Sequence, residues 1–443
     1  MTQTGLTIAV IAVLLTLLLL GIPIIISLGL SSVVGVAAVT GDVNVALSIL
    51  STTSYEALRD YVFAVIPLFI LMGEFIARSG AATDLYRSIN RVMTRVPGRL
   101  AVATVLGNAV FAAVVGASVA SAAAFSRIAY PAMCNQGYNK TVSLGCIAGS
   151  ASLGMLIPPS VLMIVWGVIT QQSIGKLFMA GVFPGLALAT MYALFCIGLA
   201  IARPDLFGAP KGAHHFVHEK FEEPQLGFSE LVGTVGCLLL IIVVLGGIWF
   251  GLFTPTEGAG IGALLALGVA LAKGMRWKGI VEVISETGRT SAPILFLLIF
   301  AQMYSRLLAV GGIGEMIHAF ITGLGLSPFA VVALMIFIWF VLGMFVDSVS
   351  IILLTVPIFA PIAATLGIDP IAFAIIGILA IEAGIITPPF GLVVFTVKAC
   401  ITDKEVSLGQ IFRGALPYWV MLILLAMIIY FWPPIATWLP SVT

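Results

Sequence analysis

Charge is what this sequence has least of. Of its 443 residues only 9% are Asp, Glu, Lys or Arg and 61% are hydrophobic, against roughly a quarter charged in an ordinary soluble domain. No water-soluble fold can cover so much apolar surface, so the expected solvent is a bilayer. The net charge of +1 supplies no basic field, which excludes a nucleic-acid partner. Cysteine is also scarce: Cys134, Cys146, Cys196, Cys237 and Cys400 lie far apart, with neither CxxC nor ligand spacing, and read as small buried residues. There is no GxxxxGK[ST] phosphate loop, no His/Cys metal spacing and no recognisable Ser/His/Asp arrangement. ATP hydrolysis and membrane-bound catalysis are therefore not expected. No Lys or Arg precedes Arg59, so the apolar N-terminus lacks the charged start of a signal peptide and reads as a retained first membrane helix.

What the sequence does contain is a repeat. Shifted by 230 residues against itself, Ser118 falls on Ser348, Pro131 on Pro361, Gly137 on Gly367, Gly154 on Gly384 and Pro158-Pro159 on Pro388-Pro389, without a gap. Two homologous halves, 1–203 and 229–443, are joined by a polar linker, 204–228. His214 and His218 in that linker have i,i+4 spacing, which suits a metal as well as a solvated loop. Charge gives the relative orientation of the halves. After the third apolar segment the first half carries Arg78, Arg87, Arg91, Arg95 and Arg99, whereas the matching stretch from Leu308 to Phe329 carries no Lys or Arg. Basic loops stay cytoplasmic, so the first stretch is cytoplasmic, the second periplasmic, and the repeats are inverted. Five crossings per half follow, 6–20, 24–40, 61–77, 141–172 and 177–202, then 229–251, 256–272, 290–308, 370–400 and 410–437, with both termini periplasmic. The stretches 100–136 and 327–366 must enter and leave on one side. They are read as re-entrant hairpins, with tips at Gly116-Ala117-Ser118 and Val346-Asp347-Ser348.

Gly, Ser, Thr and paired Pro within a crossing interrupt the helix, and free backbone groups at that depth persist only against protein or a polar cavity. The segments 148–154 and 382–387, each leading into Pro-Pro, are accordingly two broken helices. Breaks beside hairpin tips can take cations on carbonyls and anions on helix N-termini. Small residues there would equally allow close helix packing. Of the ionisable residues within the membrane, Asp347 is the prime candidate to balance a cation, and Glu382 lies at the second break. Glu74, Glu257 and Arg306 read as ion pairs or caps. Arg127 could attract an anion or reach for the cytoplasmic surface.

Several stretches together resemble the large membrane subunit of tripartite ATP-independent periplasmic (TRAP) transporters. They are Leu71-Met72-Gly73-Glu74-Phe75 with Ser79-Gly80, Gly116 to Ser121, Pro131-Ala132-Met133 with Gly137-Tyr138, Leu156 to Ser160, Thr254-Pro255-Thr256-Glu257, and Thr387-Pro388-Pro389 with Gly391. The linker departs from any such signature. The resemblance implies an all-α, elevator-type transporter in the bacterial inner membrane, working with a small four-helix membrane subunit and a periplasmic solute-binding protein. It implies import of a small organic anion on a sodium gradient, with sodium as coupling ion and no other cofactor. Carried onto this chain, one sodium site would involve Ser118, Gly149, Ser152 and Gly154, and a second Asp347, Ser348, Ala383 and Thr387. The substrate would lie near Ser121, Ser350, Pro158, Pro159, Pro388 and Pro389. A C4-dicarboxylate is the expected class of solute, and the alternative is a sodium/dicarboxylate transporter needing no binding protein.

Overall fold

The computed structural model describes residues 3–208, 227–312, 316, 323 and 325–442. Among these the regular structure is helical, and one isolated antiparallel bridge pairs Tyr138 with Phe207. His214, His215 and His218 lie outside the described residues. In the first half the chain forms α1 (Gln3–Leu19), α2 (Ile24–Thr40), α3 (Val43–Arg59), α4 (Val65–Ser79), α5 (Ala81–Val92), α6 (Arg99–Val115), α7 (Ser118–Asn135), α8 (Lys140–Ala151), α9 (Leu153–Leu156), α10 (Val161–Thr170) and α11 (Ile174–Ala202). The second half forms α12 (Phe228–Trp249), α13 (Pro255–Ala272), α14 (Trp277–Val310), α15 (Pro328–Gly343), α16 (Ser348–Thr365), α17 (Pro370–Gly384), α18 (Leu392–Cys400), α19 (Leu408–Phe431) and α20 (Pro434–Val442).

The repeat is visible in backbone detail. Gly137 and Gly367 both have φ 73°, and the Pro158-Pro159 and Pro388-Pro389 bonds are both cis. Two helix pairs, α6/α7 and α15/α16, turn back on themselves at 116–117 and 344–347, the stretches expected to form hairpins. The helix α8–α10 is interrupted at Ser152 and again at 157–160, and α17 and α18 are separated by 385–391. Among the described residues eight helical stretches are long and apolar enough to cross a membrane; α2 falls just short of that length, and the apolar stretch within α1, Ile8–Leu18, is shorter.

Two amphipathic helices were not legible as crossings. Asp42 caps α3 by accepting from the Asn44 amide (2.8 Å), and Asp60 ends it by capping a short 3-10 turn at Tyr61–Ala64. In the second half the equivalent stretch runs unbroken, so α14 begins at Trp277 rather than near residue 290. Helix α5 pins the start of α12: Arg87 reaches Glu230 (2.9 Å), Ser88 meets Thr234 (2.9 Å), and buried Asp84 pairs with Lys273. The last crossing stops at Phe431, short of the expected 437, because Trp432-Pro433 breaks it before α20.

Packing sorts the helices into two bundles. One joins α1–α5 with α12–α14, and the other joins α6–α11 with α15–α20. Without a hydrophobic drive between helices in lipid, tight crossings depend on small residues. Such a crossing joins α8 to α19: a Cβ on Gly145 would lie 2.1 Å from the Gly414 carbonyl carbon. Within this second bundle each hairpin packs against the first leg of its own half's broken helix and the second leg of the other's, α7 on α8 and α18, α16 on α17 and α10.

Candidate functional site

The two hairpin tips and the two helix breaks converge inside the second bundle. At the first tip Gly116 has φ 65°, in the left-handed region that favours glycine, and a Cβ there would sit 2.4 Å from the Pro159 carbonyl oxygen. The Val161 amide donates to the Gly116 carbonyl (3.3 Å), tying the tip to the start of α10. On the other flank a Cβ on Gly154 would be 2.9 Å from the Ala117 carbonyl carbon. The second half repeats the approach with Gly343 and Gly384, where a Cβ on Gly384 would lie 2.4 Å from the Phe340 carbonyl oxygen. The close backbone contacts account for the glycines without any ligand.

Ser118 and Ser348, equivalent in the repeat, are the first residues of α7 and α16, and both are buried. Both donate to the same carboxylate. Ser118 Oγ reaches Glu382 Oε2 at 2.5 Å and Ser348 Oγ reaches Glu382 Oε1 at 3.1 Å. Glu382, on the last turn of α17, has 0% exposure and forms no ion pair among the described residues. Its counterpart in the repeat is Ser152, whose hydroxyl donates to the Gly149 carbonyl (2.7 Å) and meets Tyr192 Oη (3.1 Å).

The residues expected to form the first cation site thus share one neighbourhood, with Ser152 on Gly149 and Gly154 against the turn before Ser118. Gly149 also has a packing role, since a Cβ would lie 2.1 Å from Cγ of Tyr418. In the second set Thr387 Oγ1 donates to the Ala383 carbonyl (2.7 Å), and Ser348 is held by Glu382 beside Ala383. Asp347 is placed differently from its three companions. It is exposed, and its carboxylate caps α16 by accepting from the Ser350 amide (3.0 Å) and the Ser350 hydroxyl. The carboxylate at the buried centre is Glu382; its place at the break marked it in the sequence, but nothing there showed that both tips would reach it. Because each of these hydroxyls spends its proton on an internal oxygen, its lone pairs are left to accept. An all-oxygen donor set of this kind fits a hard cation. Among the described residues no three His, Cys, Asp or Glu side chains cluster as a metal site.

Of the residues expected near the substrate, Ser121 is fully buried and its hydroxyl has no hydrogen-bond partner among the described residues. Such an orphan calls for a ligand or water. Ser350 is buried but engaged with Asp347. Pro158 and Pro159 are buried, whereas Pro388 and Pro389 are exposed, next to Phe390 and Phe345, whose rings lie 5.9 Å apart. The two breaks match in sequence but differ in cover. Arg127 is exposed on α7. Glu74 pairs with Arg78 (3.4 Å), Arg306 pairs with Glu56 (2.5 Å), and Glu257 completes a capping box with Thr254. A separate cavity of about 470 Å³ lies between the bundles, lined by Glu56, Asp60, Gln172, Gln302 and Arg306 among others, and includes none of the expected site residues.

Comparison with known proteins bears on this arrangement. Residues 11–435 match the family described as tripartite ATP-independent periplasmic transporter, DctM component. The chain is 34% identical over 421 residues to the C4-dicarboxylate TRAP transporter large permease protein DctM of Pseudomonas aeruginosa, covering 94% of each chain. It is 30% identical over 442 residues to the ectoine TRAP transporter large permease protein TeaC of Halomonas elongata, covering 98% of each. Among solved structures the YdaH transporter of Alcanivorax borkumensis has a similar fold, with a TM-score of 0.62 at 16% identity over 88% of this chain and 89% of that one.

Proposed function

The chain belongs to the DctM component family of tripartite ATP-independent periplasmic transporters, and from that premise we propose that it imports a small organic anion on a sodium gradient. It is a large permease component and a multi-pass inner-membrane protein. In the proposed cycle a periplasmic solute-binding protein delivers the anion, and a small membrane subunit accompanies the permease. The bundle of α6–α11 and α15–α20 carries the site past the bundle of α1–α5 and α12–α14 in an elevator movement, with the two halves inverted in the membrane and the two helix pairs re-entrant. The observation that carries this reading is the meeting of both hairpin tips with both helix breaks in one bundle.

Sodium is assigned to the two oxygen-rich neighbourhoods, Ser118, Gly149, Ser152 and Gly154 in one, Asp347, Ser348, Ala383 and Thr387 in the other. The substrate is assigned to the space near Ser121, Ser350 and the two Pro-Pro breaks. The helices α7, α10, α16 and α18 begin beside the tips and breaks, and helix N-termini favour anions. A small carboxylate, such as a C4-dicarboxylate, fits these donors. The relatives named for C4-dicarboxylate and for ectoine make the choice of solute the first thing to measure.

The test is uptake of labelled succinate, with ectoine as comparison, into proteoliposomes holding the chain and its small subunit, with the binding protein outside and an imposed sodium gradient. Succinate uptake that needs both sodium and binding protein is the expected result. Uptake indifferent to sodium would overturn the cation assignment, and uptake without the binding protein would make the chain a self-sufficient sodium/dicarboxylate transporter.

A further inference from the structure

We propose that Glu382 is a positioning residue that interlocks the two hairpins, holding one tip in place when the other leaves. The inference rests on the transporter reading above, to which it adds that the hairpin tips open and close as gates, and it uses neither the sodium assignment nor the identity of the solute. A carboxylate removed from water is costly unless it is hydrogen-bonded and balanced. Glu382 has 0% exposure, has no ion-pair partner, and is satisfied by two hydroxyls on two different hairpins. Its two oxygens belong to one rigid planar group, and each serves one tip.

Two consequences follow from that geometry. When the α6/α7 tip withdraws, Ser118 is lost and the carboxylate depends wholly on Ser348, so the remaining bond becomes harder to break. The converse holds when α15/α16 withdraws. Opening both tips at once would strip the buried carboxylate of every donor identified here, which is the costliest of the four combinations. The state so disfavoured, with both gates open, is the one that would leak. Asp347 cannot play this part, because it is exposed and bonded within its own hairpin. Neither can Ser152, the repeat counterpart of Glu382, whose partners Gly149 and Tyr192 lie outside both hairpins.

The measurement is of spin-label distances in the full chain reconstituted in lipid, free of sodium and solute, with the five native cysteines replaced. One label pair joins Phe345→Cys on the second tip to Leu194→Cys on the exposed face of α11, and another joins Val119→Cys on the first tip to the same reference; all three positions are exposed. Ser118→Ala is expected to broaden the Val119 pair alone and Ser348→Ala the Phe345 pair alone. Glu382→Gln, which keeps the side chain's size but no longer offers two equivalent acceptor oxygens, should broaden both. The separated fraction should rise on the order of tenfold, the scale of one hydrogen bond. Passive efflux of trapped solute should appear in Glu382→Gln and in neither serine variant. The proposal is overturned if Ser118→Ala also loosens the second hairpin, if Glu382→Gln loosens only one tip, or if a single serine variant leaks. Should Glu382→Gln fail to fold, the two serine variants still decide the matter by whether each loosens only its own hairpin.

Discussion

Gly116→Ala is the most informative single substitution at the first hairpin tip. Two costs can be separated there. The backbone has φ 65°, and an L-residue in the left-handed region costs roughly 1–2 kcal/mol. The added methyl would also lie 2.4 Å from the Pro159 carbonyl oxygen, which is backbone and cannot swing aside as a side-chain end could. Relieving such overpacking typically costs about 1–3 kcal/mol. The displacement would stretch the bond from the Val161 amide to the Gly116 carbonyl, now 3.3 Å, and so loosen the start of α10. A natural control is Gly21→Ala, where φ is 78° but nothing lies within 4 Å of the added carbon. The control should pay the conformational cost alone. Gly116→Ala should therefore exceed it by about 1–3 kcal/mol, read as a larger drop in apparent Tm in lipid nanodiscs, and should depress uptake much more than the control does. Equal Tm shifts and equal uptake for the two variants would refute the account of the tip as a close-packed junction with the first helix break.

Two further perturbations test the parts around the site. The Asp84 and Lys273 side chains are 7% and 9% exposed and pair with each other, with Ser229 also accepting from the lysine; removing one partner of a buried pair typically costs about 3–5 kcal/mol. Asp84→Asn should thus destabilise strongly, while Asp84→Leu with Lys273→Met should recover much of the loss in the same melting assay, and an equally unstable double variant would contradict the pairing. Lys140, 2.6 Å away, holds the Asp403 carboxyl below its ordinary value of 3.8, against partial burial and with help from the Tyr130 hydroxyl at 3.0 Å. A depressed folded-state value means that this tie stabilises fully above the unfolded carboxyl's value and is lost only as pH falls through the folded one. The Tm difference between Asp403→Asn and the parent should accordingly be flat across neutral pH and close only in acid; closure near neutrality would show that another group is responsible.

The division into two bundles gives these local features their meaning. The Lys140–Asp403 tie, the glycine junctions at the tips, Glu382 and the serines lie within one bundle, the Asp84–Lys273 pair within the other, and the cavity of about 470 Å³ between the two. Relative movement of the bundles would remodel that cavity and the Arg306 and Glu56 surroundings, and would also slide α4 past the first hairpin, where a Cβ on Gly73 would lie 3.0 Å from Val115 Cα.

Much of this was present in the order of residues. Scarce charge and long apolar runs determined a membrane-spanning, helical chain, because backbone groups in lipid must be satisfied within helices. The gap-free repeat located both hairpins and both interruptions, since Gly, Ser and Pro act on the backbone locally. Caps were legible too, and the Thr254-Pro255-Thr256-Glu257 motif is a helix start. Helices α3 and α5 were not, because amphipathic segments lack the uniform apolar run that marks a crossing. Three matters were decided by tertiary structure alone. Asp347, the prime candidate in the sequence to balance a cation, is exposed and rests its carboxylate on the Ser350 amide and hydroxyl at the start of its own helix. Glu382 became the centre because residues 264 and 34 positions away in sequence reach its two oxygens. The Pro-Pro breaks, equal in sequence, are covered in the first half and exposed in the second, because burial is a property of what packs against a segment and not of the segment itself.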